Sequence, residues 1–144
     1  MKHDGSPSAG VLLIRDGKVL LVRHGEKAKH MTGTYGIPSG RPEEGEIPIE
    51  TAAREFNEET GLTTSIEDLK NYPDNIYTAG FDRKDGTVKR FSMTVFICAE
   101  YSGELKKEDG ETTPEWVDLD SMGKLNLLAN IEKIVADGTK YINE

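Results

Sequence analysis

An α/β (α+β) domain with a mixed β-sheet covered by helices is predicted by three observations. Apolar runs of strand length flank Asp-Gly turns, a thirteen-residue segment repeats its apolar residues at helical spacing, and a second amphipathic segment closes the chain. In order, these are strands, helix, strands, helix. No internal repeat or linker interrupts them, and 144 residues suit a single domain with its own core. Residues 1–8 hold no apolar stretch and are expected to form a flexible tail, leaving 9–144 as the domain.

Residues 10–24 hold two apolar runs around Asp16-Gly17, a strong hairpin signal, and strands are expected at 9–15 and 18–23. Residues 25–47 are rich in glycine, proline and charge and read as a long functional loop. Pro48 suits the first turn of a helix and Gly61 the left-handed position after its end, so the helix is set at 48–60; Ile47 supplies no capping side chain. Strands follow at 62–66, 70–79 and 89–101, with a second hairpin at Asp85-Gly86, and a short strand at 115–119. A closing helix is expected over 125–137, ended by Gly138. Cys98 and Trp116 are expected in the core.

The net charge of −8 argues against a general nucleic-acid binder, and no stable nucleic-acid complex is expected. No apolar run spans a bilayer, so no membrane partner is expected either. One cysteine cannot form an internal disulfide, and a reducing, cytoplasmic setting fits. A homodimer suits a domain of this size, though no exposed apolar stripe requires one.

The helix at 48–60 carries the chemistry. With about 100° per residue, and Glu55 set at 0°, Glu59 lies near about +40° and Glu58 near about −60°. Ile49, Ala52, Ala53 and Phe56 gather on the other side. One face can pack on a sheet while the other holds three carboxylates. Like charges at this spacing each cost a few tenths of a kcal/mol, and the last turn of a helix disfavours anions. Arg54 offsets part of that cost, and a divalent cation would offset more. Carboxylate oxygens suit Mg²⁺, which keeps waters and takes phosphate oxygens as further ligands.

The segment from Gly40 to Leu62 resembles the signature of the Nudix hydrolase family: glycine, five residues, Glu46, seven residues, Arg54-Glu55, an apolar Phe56, one residue, Glu58-Glu59, one residue, Gly61 and an apolar Leu62. The resemblance implies an α/β/α sandwich around a mixed sheet. It implies Mg²⁺-dependent hydrolysis, with Mn²⁺ as a substitute, of the diphosphate bond in a nucleoside diphosphate linked to another group, with nucleoside triphosphates favoured. Glu55, Glu58 and Glu59 would carry the metal, joined by a backbone carbonyl at Ser39 or Gly40. Arg54 would orient the carboxylates, and Glu46 and Gly61 would support the signature. Glu55 or Glu58 would accept a proton from the attacking water, or Glu111 would do so from a distant loop. A nucleotide-binding sensor without turnover is the competing reading.

Ser39 departs from the glycine that many relatives carry there; backbone strain is expected if its carbonyl must be presented in a glycine-like conformation. Arg23, Arg41 and Ser39 are the expected contacts to a small phosphorylated substrate, expected to be a nucleotide. Tyr35 would either stack on a base or pack its own loop.

Overall fold

The computed structural model describes residues 6–27, 32–82, 85–108 and 110–142. The strands and helices are β1 (Ser6–Leu12), β2 (Ile14–Arg15), β3 (Lys18–His24), β4 (Tyr35–Gly36), β5 (Ser39–Gly40), α1 (Pro48–Thr60), β6 (Leu62–Thr63), β7 (Leu69–Lys70), β8 (Ile76–Asp82), β9 (Val88–Cys98), β10 (Ser102–Gly103), β11 (Thr112–Asp118) and α2 (Ile131–Thr139). One sheet is mixed: β1 pairs in parallel with β9 and antiparallel with β5, while β7 and β8 line the other side of β9. A second, antiparallel sheet has β3 between β11 and the short strands β2 and β4.

The near-continuous apolar character of β1 and β3 follows from burial on both faces. Ala9, Val11, Leu13 and Leu20 turn towards Ala52 and Phe56 of α1. Leu12, Ile14, Val19 and Leu21 turn the other way, onto a layer completed by Val95, Ile97 and the α2 residues Ile131, Ile134 and Val135. Helices thus cover both faces, giving the expected sandwich. Cys98 is buried in the α1-side layer, as expected. Trp116 only leans on that layer, partly buried, with its ring centroid 6.3 Å from that of Tyr101.

Several boundaries differ from expectation, among them the ends of β6 at Thr63 and of β9 at Cys98. Ser6–Ser8, assigned to the tail, already pair with Phe91–Met93 in β1. The strand expected over 70–79 is interrupted after Lys70, where Pro73 and a left-handed Asp74 (φ 58°) turn the chain before β8. β11 begins at Thr112, because its ladder with β3 continues to His24. The closing helix starts at Ile131, six residues later than expected. Leu125–Asn130 is claimed instead by Tyr35: its N–H donates to the Asn126 carbonyl (2.9 Å) and its carbonyl accepts from Leu128 N–H (2.8 Å). Gly138 lies inside α2 rather than ending it, and a Cβ there would overlap Leu12 Cδ2. That glycine sets how closely the helix approaches the sheet.

Phe56 is the largest side chain buried between α1 and the sheets, at 0% exposure. Phe56→Ala should lower unfolding free energy by about 3–5 kcal/mol, read from the urea midpoint at unchanged slope.

Candidate functional site

The chain enters α1 through an exposed loop whose order comes from one acid. Glu46 Oε1 accepts the Glu43 N–H (2.7 Å) and the Thr51 hydroxyl (2.9 Å). As expected, Ile47 offers no capping side chain; Glu50 Oε1 takes the Ile47 N–H from within the first turn (3.1 Å). At the other end Gly61 is left-handed (φ 84°) and its N–H returns to the Asn57 carbonyl. A second demand also falls on Gly61. A Cβ there would stand 2.8 Å from the Glu104 carbonyl oxygen and from the Lys106 nitrogen. Lys106 closes this end, its N–H on the Thr60 carbonyl (2.8 Å) and its Nζ on the Glu58 carbonyl (3.1 Å). With no basic residue in the last turn of α1, that cation comes from outside the helix.

Arg54 lies at the centre of the acidic face. Its Nε and Nη2 grip Glu46 (2.7 and 2.9 Å), its Nη1 reaches Glu55 (2.9 Å) and Glu58 (3.1 Å), and Nη2 also takes the Arg41 carbonyl (2.9 Å). The hydrogen bonds from Arg54 hold Glu46 down at a pKa of about 2. Glu46 in turn pushes the guanidinium further up from its ordinary value.

The two acids below the surface are held against their preference. Burial, reinforced by the neighbouring Glu58 carboxylate, raises the pKa of Glu55, whose side chain is 15% exposed. Burial pushes Glu59 up to about 8, although the Ser39 N–H donates to its Oε1 (2.7 Å). Glu58 is more open, with 53% of its side chain exposed. Gly40 lies directly beneath Glu55, where a Cβ would overlap the carboxylate. The glycine at this position is therefore a matter of space. Ser39 sits in β5, paired with Gly10, and is absent from the residues with positive φ; the strain expected there is not found.

The structure thus brings together Ser39, Gly40, Glu46, Arg54, Glu55, Glu58, Glu59 and the backbone of Arg41. The Arg41 side chain is exposed beside them. Among the described residues no three acidic, histidine or cysteine side chains converge as a ready-made cage. The donor set still fits a hard divalent cation: all oxygen, two members partly buried and raised in pKa, and a close-approach glycine in the adjoining strand.

Two further expected residues are held by contacts of their own. Arg23 Nε donates to Glu115 Oε2 (3.1 Å), and the Tyr35 hydroxyl lies 3.4 Å from the same atom. This contact raises the pKa of Arg23. Glu111 is exposed, with its carbonyl accepting the Gly25 N–H (2.8 Å). Sequence reading passed over Glu115 and Lys106. Glu115 carries a signal in retrospect, because it interrupts an inward-facing alternation at Val117.

The NUDIX domain model matches residues 5–137. The chain is 31% identical over 132 residues to the ADP-ribose pyrophosphatase of Methanocaldococcus jannaschii, covering 92% of this chain and 72% of that protein. It is 33% identical over 136 residues to a nucleoside triphosphate pyrophosphatase/Nudix hydrolase fusion protein of Bifidobacterium longum, covering 88% of this chain and 26% of the fusion. Among solved structures, the MutT protein of Bacillus halodurans superposes with a TM-score of 0.70 at 26% identity, covering 90% of this chain and 79% of that one.

Glu59 binds its proton more tightly folded than unfolded, and Glu55 shifts in the same direction. Their contribution is most favourable below about pH 4.5 and is lost as pH rises through about 8. Glu46 acts in the opposite sense: its contribution is present above about pH 4.5 and lost towards about 2. Metal-free protein should therefore melt at lower temperature at pH 8.5 than at pH 5.5. Mg²⁺ should recover more of the melting temperature at the higher pH, a comparison that differential scanning fluorimetry makes directly.

Proposed function

Because the chain belongs to the Nudix family of hydrolases, we propose that it cleaves the diphosphate bond of a nucleoside diphosphate linked to a further group, with Mg²⁺ held by Glu55, Glu58, Glu59 and the Gly40 carbonyl. The observation that carries this reading is the pair of partly buried acids, Glu55 and Glu59, held beside Glu58 at raised proton affinity. A helix end with this arrangement gains from a bound cation what it loses to repulsion and the helix dipole. Mn²⁺ has the same preference for oxygen donors and serves as a substitute.

Bound Mg²⁺ would supply neutralisation of the diphosphate charge and acidify a water molecule. The chain's own part is orientation and proton transfer. Arg54 holds Glu55 and Glu58 in place from Nη1, while its other nitrogens anchor it to Glu46 and the Arg41 carbonyl. Glu58, the most exposed of the three acids, is positioned to accept the proton of the attacking water; Glu111 is the second candidate for this role. Arg41, exposed beside the acids, offers its guanidinium to a phosphate. Among substrates, nucleoside triphosphates are favoured, and ADP-ribose follows from the name of one relative. No described helix is long and apolar enough to cross a membrane, and a cytoplasmic setting is consistent with the lone, buried thiol.

The test is Glu58→Gln against wild type, with Mg²⁺ and a panel of nucleoside triphosphates, ADP-ribose and dinucleoside polyphosphates, assaying both products. The expected result is a fall in kcat of roughly 10²–10⁴-fold, the usual worth of a positioned base. Product from none of the substrates in wild type, or a mutant equal to wild type, would overturn the proposal. Gly40→Ala should also lose activity, because its methyl group displaces the Glu55 carboxylate.

A further inference from the structure

We propose that Glu115 and Arg23 form a base-reading pair, so that the substrate is a nucleotide recognised through a base edge that carries an N–H donor beside an acceptor. This rests on the hydrolase reading above for the reacting end of the molecule, and adds the identity of the other end.

Placement comes first. Along β3, Val19 and Leu21 face the α2-side apolar layer, and Arg23 is the next residue on that face. Along β11, Val117 faces the same layer and Glu115 is the next on that face. The register sets Glu115 opposite Leu21, and Thr113 opposite Arg23. An ion pair therefore stands where the inward alternation of both strands calls for apolar side chains, at the open end of the layer. About a third of each side chain remains exposed, 34% for Arg23 and 36% for Glu115. An ordinary surface ion pair contributes little and has no reason to occupy inward positions.

The free atoms define the ligand. Arg23 and Tyr35 both approach Oε2 of Glu115. Among the described residues nothing binds Glu115 Oε1 or the Arg23 Nη atoms. The pair thus presents an acceptor beside charged donors, already neutralised against each other. An anionic phosphate suits such a dipole poorly, since Glu115 would repel it. A base edge with a donor next to an acceptor matches it atom for atom. Tyr35, partly buried, and Leu127, bridged to it, supply an apolar wall beside the pair.

Reach completes the argument. Tyr35 precedes Ser39 by four residues, at most about 14 Å of extended chain, and Ser39 donates to Glu59. A nucleoside diphosphate spans that distance between base and phosphate.

Binding of AMP, GMP and ribose 5-phosphate to the full chain, measured by calorimetry with Mg²⁺, tests this without turnover. Wild type should prefer at least one nucleotide over ribose 5-phosphate by about tenfold or more, the worth of a hydrogen bond to a charged group. Glu115→Leu and Arg23→Met should each cut that preference below about threefold and leave ribose 5-phosphate affinity unchanged. If the leucine variant melts below the assay temperature, the near-isosteric Glu115→Gln replaces it and should also reduce the preference. Equal binding of all three ligands by wild type overturns the inference, as does a preference that survives the variants. So does an equal loss for ribose 5-phosphate and nucleotide, which would mark a phosphate contact or a structural role. A wild type that prefers AMP or GMP but releases no product would remove the hydrolase reading and leave this one standing.

Discussion

The Arg54 guanidinium is the constraint on which the acidic face depends. Its donors are shared among Glu46, Glu55, Glu58 and the Arg41 carbonyl, so one planar group ties the entry loop to two of the three carboxylates. Lysine could not do this, because a point charge cannot satisfy several acceptors in fixed directions. Without Arg54, Glu46 would lose its main stabiliser, the loop would lose its anchor, and Glu55 would face Glu58 with no cation between them.

The fold pays a local cost at this helix and recovers it through packing. On the apolar face of α1, Phe56 and Ala52 are fully buried against the strands, with Ile49 and Ala53 partly buried beside them, which sets the acidic face at the surface. Lys106 steadies the far end from a loop rather than from the helix itself. Positioning of the carboxylates is therefore distributed: the sheet fixes the axis, Arg54 fixes the side chains, and Lys106 with Gly61 fixes the last turn.

Much of this was legible in the chain. The helix boundaries, its two faces and the grouping of its acids follow from 3.6-residue periodicity and from the residues at either end. The hairpins follow from Asp-Gly turns. The start of α2 was not legible, because Leu125, Leu127 and Leu128 suit a helix by pattern while hydrogen bonds to Tyr35 hold that stretch extended. Nor was the meeting of Arg23 with Glu115, which depends on the register between strands 92 residues apart. The role of Gly40 was half visible. Its place in the signature was evident, but the reason, the Glu55 carboxylate lying against its Cα, appears only in three dimensions.

The pairing of β5 with β1 has a further bearing. Gly40 stands opposite Ala9, and Ser39 opposite Gly10. Because side chains alternate along a strand, a slip of one residue would exchange the roles of Ser39 and Gly40. A Cβ would then meet the Glu55 carboxylate, and the N–H that serves Glu59 would point away. Gly10 guards the same junction, since a side chain there would run into Pro38 and Ser39. The acidic face thus acts as a proofreader of strand alignment: a chain that misthreads this edge by one residue cannot seat Glu55 and Glu59 as they stand here.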